Sequence, residues 1–193
     1  MEDIELKNID IDEFKKYIYS YYLDIFPENE RKPLKLIKSS YKNQFTNIIK
    51  ILHKNEMVGF MLLNRVKDKG YVVLDYLAIL PQYRNNNFGT KALQILLEQE
   101  QENKGIFVEV EKVGLGKDIE ENLLREKRKS FYEKVGFKKL NFDLVLFDVI
   151  YTPYLFSNRE NDEDTIISEI FNIYESISGK ERIRKNCEVI SLW

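Results

Sequence analysis

Leu74-Asp75-Tyr76-Leu77-Ala78-Ile79-Leu80-Pro81-Gln82-Tyr83-Arg84-Asn85-Asn86-Asn87-Phe88-Gly89-Thr90-Lys91-Ala92-Leu93 decides how this chain is read. An apolar strand runs into a short polar loop. The loop opens into a helix that carries Ala92, Leu93, Leu96 and Leu97 on one face. The first N–H groups of such a helix have no partner within it and carry the positive end of its dipole, so this geometry suits a phosphate. Further along, Ser130-Phe131-Tyr132-Glu133-Lys134-Val135-Gly136-Phe137 forms a second cluster, an aromatic helix end with Gly136 placed for the C-cap.

Outward from these two clusters the chain alternates strands and helices. Ile4 to Ile9 alternates apolar and polar as a strand does. Asp10 or Asp12 caps a helix with Phe14, Tyr17, Ile18, Tyr21, Tyr22 and Ile25 at helical spacing. Two prolines within Phe26 to Pro33 break it, and a second helix covers Pro33 to Tyr41. Ile48 to Leu52 and Val58 to Arg65 read as an antiparallel hairpin. A turn at Lys67-Asp68-Lys69-Gly70 leads into the strand Tyr71 to Ile79, and Ile106 to Val110 is the next strand. Asp118 to Val135 reads as one long charged helix or two short ones. Phe137 to Phe156 holds one or two strands, with a turn near Asn141 to Asp143 or at Pro153. Asp162 to Ile177 is a last helix stopped by Gly179, and Cys187 to Trp193 suits a final edge strand. The expected fold is α/β with mixed strand directions: an open twisted sheet with helices on both faces. One domain spans 1–156, and 157–193 is a helix and tail packed on it or extending it.

Composition narrows the function. The 193 residues include 12 Tyr and 12 Phe, enough for a sizeable core, and the formal net charge of −2 gives no general basic surface for nucleic acid. One cysteine, Cys187, rules out an internal disulfide and a cysteine-based metal cluster. One histidine, His53, leaves no His-rich metal site and reads as a half-exposed structural residue. The first residues lack an apolar signal core and no run is long enough to span a membrane, so the expected location is cytoplasmic.

In order and spacing the two clusters resemble the paired signatures of the GNAT acetyltransferase superfamily. The family's cofactor loop has the form Arg or Gln, two residues, Gly, one residue, Gly or Ala. Here that frame falls on Arg84, Asn85, Asn86, Asn87, Phe88 and Gly89. Asn87 stands where glycine is usual; asparagine enters left-handed backbone space more readily than most residues. The resemblance implies acetyl-CoA as co-substrate. Arg84 and the N–H groups of Asn85, Asn86, Asn87, Phe88, Gly89 and Thr90 would meet the pyrophosphate, and Leu77, Ala78 and Ile79 would line the thioester and pantetheine.

The second cluster is similar to the family's Tyr-Glu-Lys-x-Gly-Phe motif and makes Tyr132 the candidate acid for the departing CoA thiolate. Relatives often carry Asn and Ala seven and four residues before this tyrosine; here Arg125 and Arg128 stand there. Val108-Glu109-Val110-Glu111 places two carboxylates on one face of a strand. Glu109 matches the base of the branch that acetylates protein N-termini. Asp75 is a second candidate base, a carboxylate in an otherwise apolar strand. Glu111, with Glu30 and Arg31 of a Phe-Pro-x-x-Glu-Arg element, would contact the acceptor.

Two classes follow. The first is an N-acetyltransferase with direct attack in a ternary complex on a small-molecule or peptide amine. Its rival acceptor is an acidic metabolite held by Arg125 and Arg128, whose plainer reading is a solvated helix face. The second is a catalytically silent CoA-binding sensor or interaction module. The helix with Ile166, Ile170, Phe171 and Tyr174 either packs on the sheet or serves as the face of a homodimer.

Overall fold

Strand β4, Tyr71–Ile79, is the axis of the molecule. In a computed structural model, residues 4–66, 68–160 and 162–191 are described; Lys67 of the expected turn, and Leu192 and Trp193 of the expected last strand, lie outside them. Around β4 run β1 Ile4–Ile9, α1 Ile11–Tyr17, α2 Tyr19–Ile25, α3 Leu34–Lys42, β2 Thr46–His53, β3 Glu56–Asn64, α4 Phe88–Gln99, β5 Gly105–Glu111 and α5 Ile119–Val135. After them come β6 Lys138–Lys139, β7 Phe142–Leu146, β8 Val149–Phe156, α6 Glu163–Ser178, α7 Lys180–Asn186 and β9 Cys187–Ser191. They form one sheet in the order β1-β2-β3-β4-β5-β8-β7-β9, with β6 beside β8. Every pairing is antiparallel except β4 with β5, so the sheet is mixed.

Alternation along β4 and β5 assigns the two faces. Val72, Leu74, Val108 and Val110 pack beneath α4 together with Phe131 and Tyr132 of α5. Tyr71, Val73 and Phe107 point to the other face, where α6 and α7 lie. Tyr76 and Ala78 also face that second side, beneath α1, α2 and α3. The parity therefore slips by one residue between Leu74 and Tyr76. The ladder shows why: Leu62 pairs with Tyr76 and Leu63 with Leu74, so Asp75 is a β-bulge with no partner on β3. Gly59 lets the strands close beyond it, since a Cβ there would lie 2.4 Å from the carbonyl oxygen of Ala78.

Three details depart from the sequence reading. The first expected helix is interrupted at Ile18, a fully buried residue whose backbone leaves helical values at φ −116°. The C-terminal hairpin turns at Phe147 and Asp148, both in left-handed conformation, φ 50° and 68°, rather than at Asn141 to Asp143 or at Pro153. Phe-Asp carries none of the glycine or asparagine that usually marks such a turn. Pro153 lies within β8 opposite Glu109, between the stretches paired with β7 and β6, where a missing ladder donor costs least. Third, a short helix, α7, intervenes before β9. Of the two placements open to the apolar stripe of α6, the structure has the one on the sheet: Ile166, Ile170 and Tyr174 are buried there, and β9 pairs with β7.

Candidate active site

The loop after β4 is shaped by its asparagines. Pro81–Tyr83 makes one 3-10 turn, and the Arg84 Nε then donates to the Ile79 carbonyl at 3.2 Å, laying the guanidinium across the end of the strand. Asn85 and Asn87 take left-handed backbone at φ 65° and 61°. Between them Asn86 ties the loop by donating its side-chain amide to the carbonyls of Tyr83 and Arg84, each at 3.1 Å. Asn87 is the N-cap residue of α4, yet its side chain caps nothing, whereas Asp10, Asp118 and Asp162 close α1, α5 and α6 with their carboxylates. The first N–H groups of α4 are therefore left to a ligand or water. Gly89, in that first turn, lines the cavity described next. A Cβ there would make only ordinary contacts, 3.5 Å to Ile79 and 3.6 Å to Phe131. The protein's own packing does not require glycine; its hydrogen keeps open the space in front of the helix, as a phosphate-bearing group needs.

β4 and β5 pair only over Tyr71–Val73 and Gly105–Phe107 and then part. The wedge between them opens into a cavity of about 880 Å³. Leu77, Ala78, Ile79, Arg84, Gly89 and Tyr132 line one end of it; Glu30, Arg31, Lys32, Asp75, Glu109 and Glu111 line the other. Tyr132 belongs with the cluster under α4 and α5, while Glu109 and Glu111 share the parity of Phe107 on the opposite face. The cavity thus joins the two faces of the sheet through the gap between β4 and β5.

At the carboxylate end nearly every acid has a partner. Asp75, exposed to the wedge by its bulge, holds the Lys32 ammonium at 2.5 Å. Glu111 is buried and gripped by Arg128 and, at 3.0 Å, by Arg125. Arg125 also donates to the Lys112 carbonyl at 2.9 Å and to Glu121 at 2.5 Å. Contrary to the expectation of a solvated face, Arg125 is 7% exposed, because pairing Glu111 draws it under the sheet edge. Glu109 accepts a hydrogen bond from the Tyr174 hydroxyl. Burial, reinforced by the charge of Asp75, pushes the Glu109 carboxyl up to about 7. Glu30 is different. Its side chain has no hydrogen bond or ion pair among the described residues, and burial together with the Glu111 charge pushes it up to about 7. Burial, and then Glu109, push the Tyr132 phenol well above its ordinary value, so it stays protonated near neutrality.

The segment that carries Glu30 is fixed in place. Phe26 packs edge-on against Phe60 and Tyr76. The Tyr76 hydroxyl donates to the Glu30 carbonyl at 2.7 Å, and the Lys32 N–H donates to the Tyr22 hydroxyl at 2.6 Å. Arg31 donates to the Leu23 carbonyl at 3.0 Å.

The structure therefore gathers the candidate residues around one cavity, except the exposed Asn85, Asn86 and Asn87, the half-buried Thr90 and Phe88, whose side chain is buried in the core. The sequence reading missed Lys32, Tyr151 and Tyr174. Tyr174 had a signal: a phenol within the isoleucine stripe of α6 needs a buried partner. Lys32 and Tyr151 had none, since their relevance depends on which strands lie beside them. Among the described residues no group of three or more His, Cys, Asp or Glu is placed to hold a metal, and no helix is long and apolar enough to cross a membrane. His53 is half-buried, its ring centroid 4.8 Å from that of Phe88.

Residues 46–139 match the family profile of the acetyltransferase (GNAT) domain. A GNAT-family acetyltransferase structure from Bacteroides thetaiotaomicron superposes with a TM-score of 0.72 at 17% identity, covering 91% of this chain and 99% of that one. The ribosomal-protein-S18-alanine N-acetyltransferase of Escherichia coli superposes with a TM-score of 0.57 at 13% identity, over 84% of this chain and 98% of that one. A Bacillus subtilis acetyltransferase in complex with CoA gives 0.55 at 13% identity, over 82% and 100%. No curated protein sequence matches this chain. At these identities the structures establish a shared fold.

Proposed function

Given that residues 46–139 are a GNAT acetyltransferase domain, we propose that this protein transfers the acetyl group of acetyl-CoA to a cationic amine by direct attack in a ternary complex. The observation that carries this reading is the cavity that passes through the sheet where β4 and β5 part, with the phosphate-suited loop at one end and the carboxylates at the other. Acetyl-CoA supplies the activated acyl group. Arg84 and the first N–H groups of α4 hold its pyrophosphate, and the backbone of Leu77, Ala78 and Ile79, which lacks a β5 partner, lies along its arm. Glu109 takes a proton from the acceptor ammonium. The freed amine forms the C–N bond as the thioester C–S bond breaks, and Tyr132 gives its proton to the sulfur; the surplus proton of the new amide nitrogen returns through solvent to the Tyr132 phenolate, and Glu109 releases its proton to solvent. A base titrating near 7 suits this work at neutral pH, because it is partly ionised yet still basic.

Glu30 supports a cationic acceptor. It is the half-buried cavity carboxylate without a protein partner among the described residues, and an ammonium beside it would restore its ionised form. Glu111 acts more remotely, since Arg125 and Arg128 already satisfy it; that pairing also disfavours an acidic metabolite bound by the same two arginines. Arg31 supports the loop rather than the acceptor. Asp75 is a weaker candidate base because its carboxylate is already occupied by the Lys32 ammonium.

Calorimetric titration with acetyl-CoA, followed by CoA release across a panel of primary amines, polyamines and basic peptide N-termini, tests the proposal. Binding with turnover on a cationic amine is the expected result. Binding with no turnover across the panel would favour the sensor reading, and no binding would overturn both.

A further inference from the structure

Helix α6 lies outside residues 46–139, yet its Tyr174, Ile177 and Ser178 line the cavity. Ile166, Ile170, Ile173 and Ile177 bury it against the sheet, and Tyr174 sits in the same stripe at 7% exposure. A phenol buried there without a partner would cost about 1–3 kcal/mol. Its partner is the Oε1 of Glu109. The bond engages one carboxylate oxygen of a residue that lines the cavity.

We propose that Tyr174 is a positioning residue for acetyl transfer: its hydroxyl holds Glu109 in the orientation and ionised form that the acceptor's proton requires, so that α6 completes the active site from outside the acetyltransferase domain. This rests on reading Glu109 as the base. Every other charged or titratable group around Glu109 acts differently. Asp75 on β4 opposes its ionisation, and Lys32, before α3, favours it while bonded to Asp75. Tyr132 on α5, Tyr151 on β8 and Cys187 on β9 feel its charge without a hydrogen bond to it among the described residues. The Tyr174 hydroxyl is thus the side-chain donor that favours the anion at short range, against the burial that opposes it.

Tyr174→Phe removes only the hydroxyl. The acid limb of kcat/KM should move up by about one pH unit, with rates below the limb about tenfold lower. The rate at high pH should approach that of the wild type, and acetyl-CoA affinity should be unchanged. Ile170→Val trims the same stripe but keeps the hydroxyl, and should retain the wild-type profile. A Tyr174→Phe profile that coincides with the wild type, or one reproduced by Ile170→Val, would overturn the inference. The same point is open to NMR without turnover: in protein labelled with ¹³C at glutamate carboxyls, the Glu109 signal, assigned by its loss in Glu109→Gln, should titrate higher in Tyr174→Phe. Coincident titrations would overturn the role of Tyr174 even if no acceptor were found. A displaced titration beside a wild type inactive on every amine would sink the acetyl-transfer reading instead, leaving the hydrogen bond intact.

Discussion

The two ends of the cavity are built by different means. The cofactor end is local: a strand end, a loop with two left-handed asparagines and a helix start, contiguous from Leu77 to Thr90 and held by hydrogen bonds between residues two to five apart. The acceptor end is assembled at long range. Lys32 meets Asp75 across 43 residues, Arg128 meets Glu111 across 17, and Tyr174 meets Glu109 across 65. On the proposed reading, backbone amides and the Arg84 guanidinium would serve one end and converging acidic side chains the other. A nucleotide-bearing co-substrate would then be held mostly by groups every residue possesses, placed by backbone conformation. The acceptor would meet groups that exist only where particular side chains converge.

If that division is right, the largest single effect belongs to Glu109. Glu109→Gln keeps the shape but cannot take a proton, so kcat should fall by about 10²–10⁴ with acetyl-CoA affinity unchanged by calorimetry. Stability should move the other way. The Glu109 carboxyl titrates near 7 in the folded protein, above its ordinary value of 4.5. The native state therefore favours the protonated form, and the stability gained that way is fully present below about pH 4.5 and lost as pH rises through about 7. The melting-temperature gain of Glu109→Gln over wild type should accordingly be larger at pH 8 than at pH 5. An equal gain at both would mean that the carboxyl is not held in its neutral form.

Arg84→Ala probes the opposite end. Loss of one charge-assisted contact to a phosphate corresponds to about 1.5–3 kcal/mol, hence roughly a 10- to 100-fold weaker acetyl-CoA dissociation constant, with a smaller change in kcat. Because Arg84 is exposed, the wild-type affinity should also weaken as salt is raised, and that dependence should shrink in the variant. A loss confined to kcat would break the division between the two ends.

The same contrast decides what the sequence could reveal. The cofactor loop was readable because its chemistry is contiguous; even the Asn87 departure could be judged from backbone preference alone, and φ 61° is what that judgement implies. Glu109 and Glu111 shared a face by strand alternation, so their placement was also readable. Their fates were not. Glu111 is neutralised by arginines expected in solvent, and Glu109 is held by a tyrosine from a helix whose docking site no local pattern specifies. The bulge at Asp75 was equally hidden, for it lies in an unbroken apolar strand with neither glycine nor proline to mark it. The hairpin turn at Phe147 and Asp148 shows the same limit: the strands on either side impose it, and its residues do not announce it.

The smallest expected effect tests how far the cofactor end rests on backbone alone. Asn87 donates and accepts nothing through its side chain at the α4 cap, so its contribution should be its tolerance of left-handed backbone. Asn87→Gly should then leave the melting temperature and acetyl-CoA affinity close to wild type. Asn87→Ala imposes a Cβ that is disfavoured at φ 61°, at a cost of about 1–2 kcal/mol. For a chain of this size that corresponds to a melting temperature lower by roughly 2–8 °C. Affinity should fall only severalfold, since ligand binding can restore the conformation that alanine resists. Differential scanning calorimetry with and without acetyl-CoA separates the two terms, and the ligand-induced stabilisation should be smaller for Asn87→Ala than for Asn87→Gly. If alanine matched glycine in both, the loop would owe nothing to a preformed left-handed turn. If glycine were as damaging as alanine, the side-chain amide of Asn87 would itself be touching the ligand, and the cofactor end would depend on a second side chain besides Arg84.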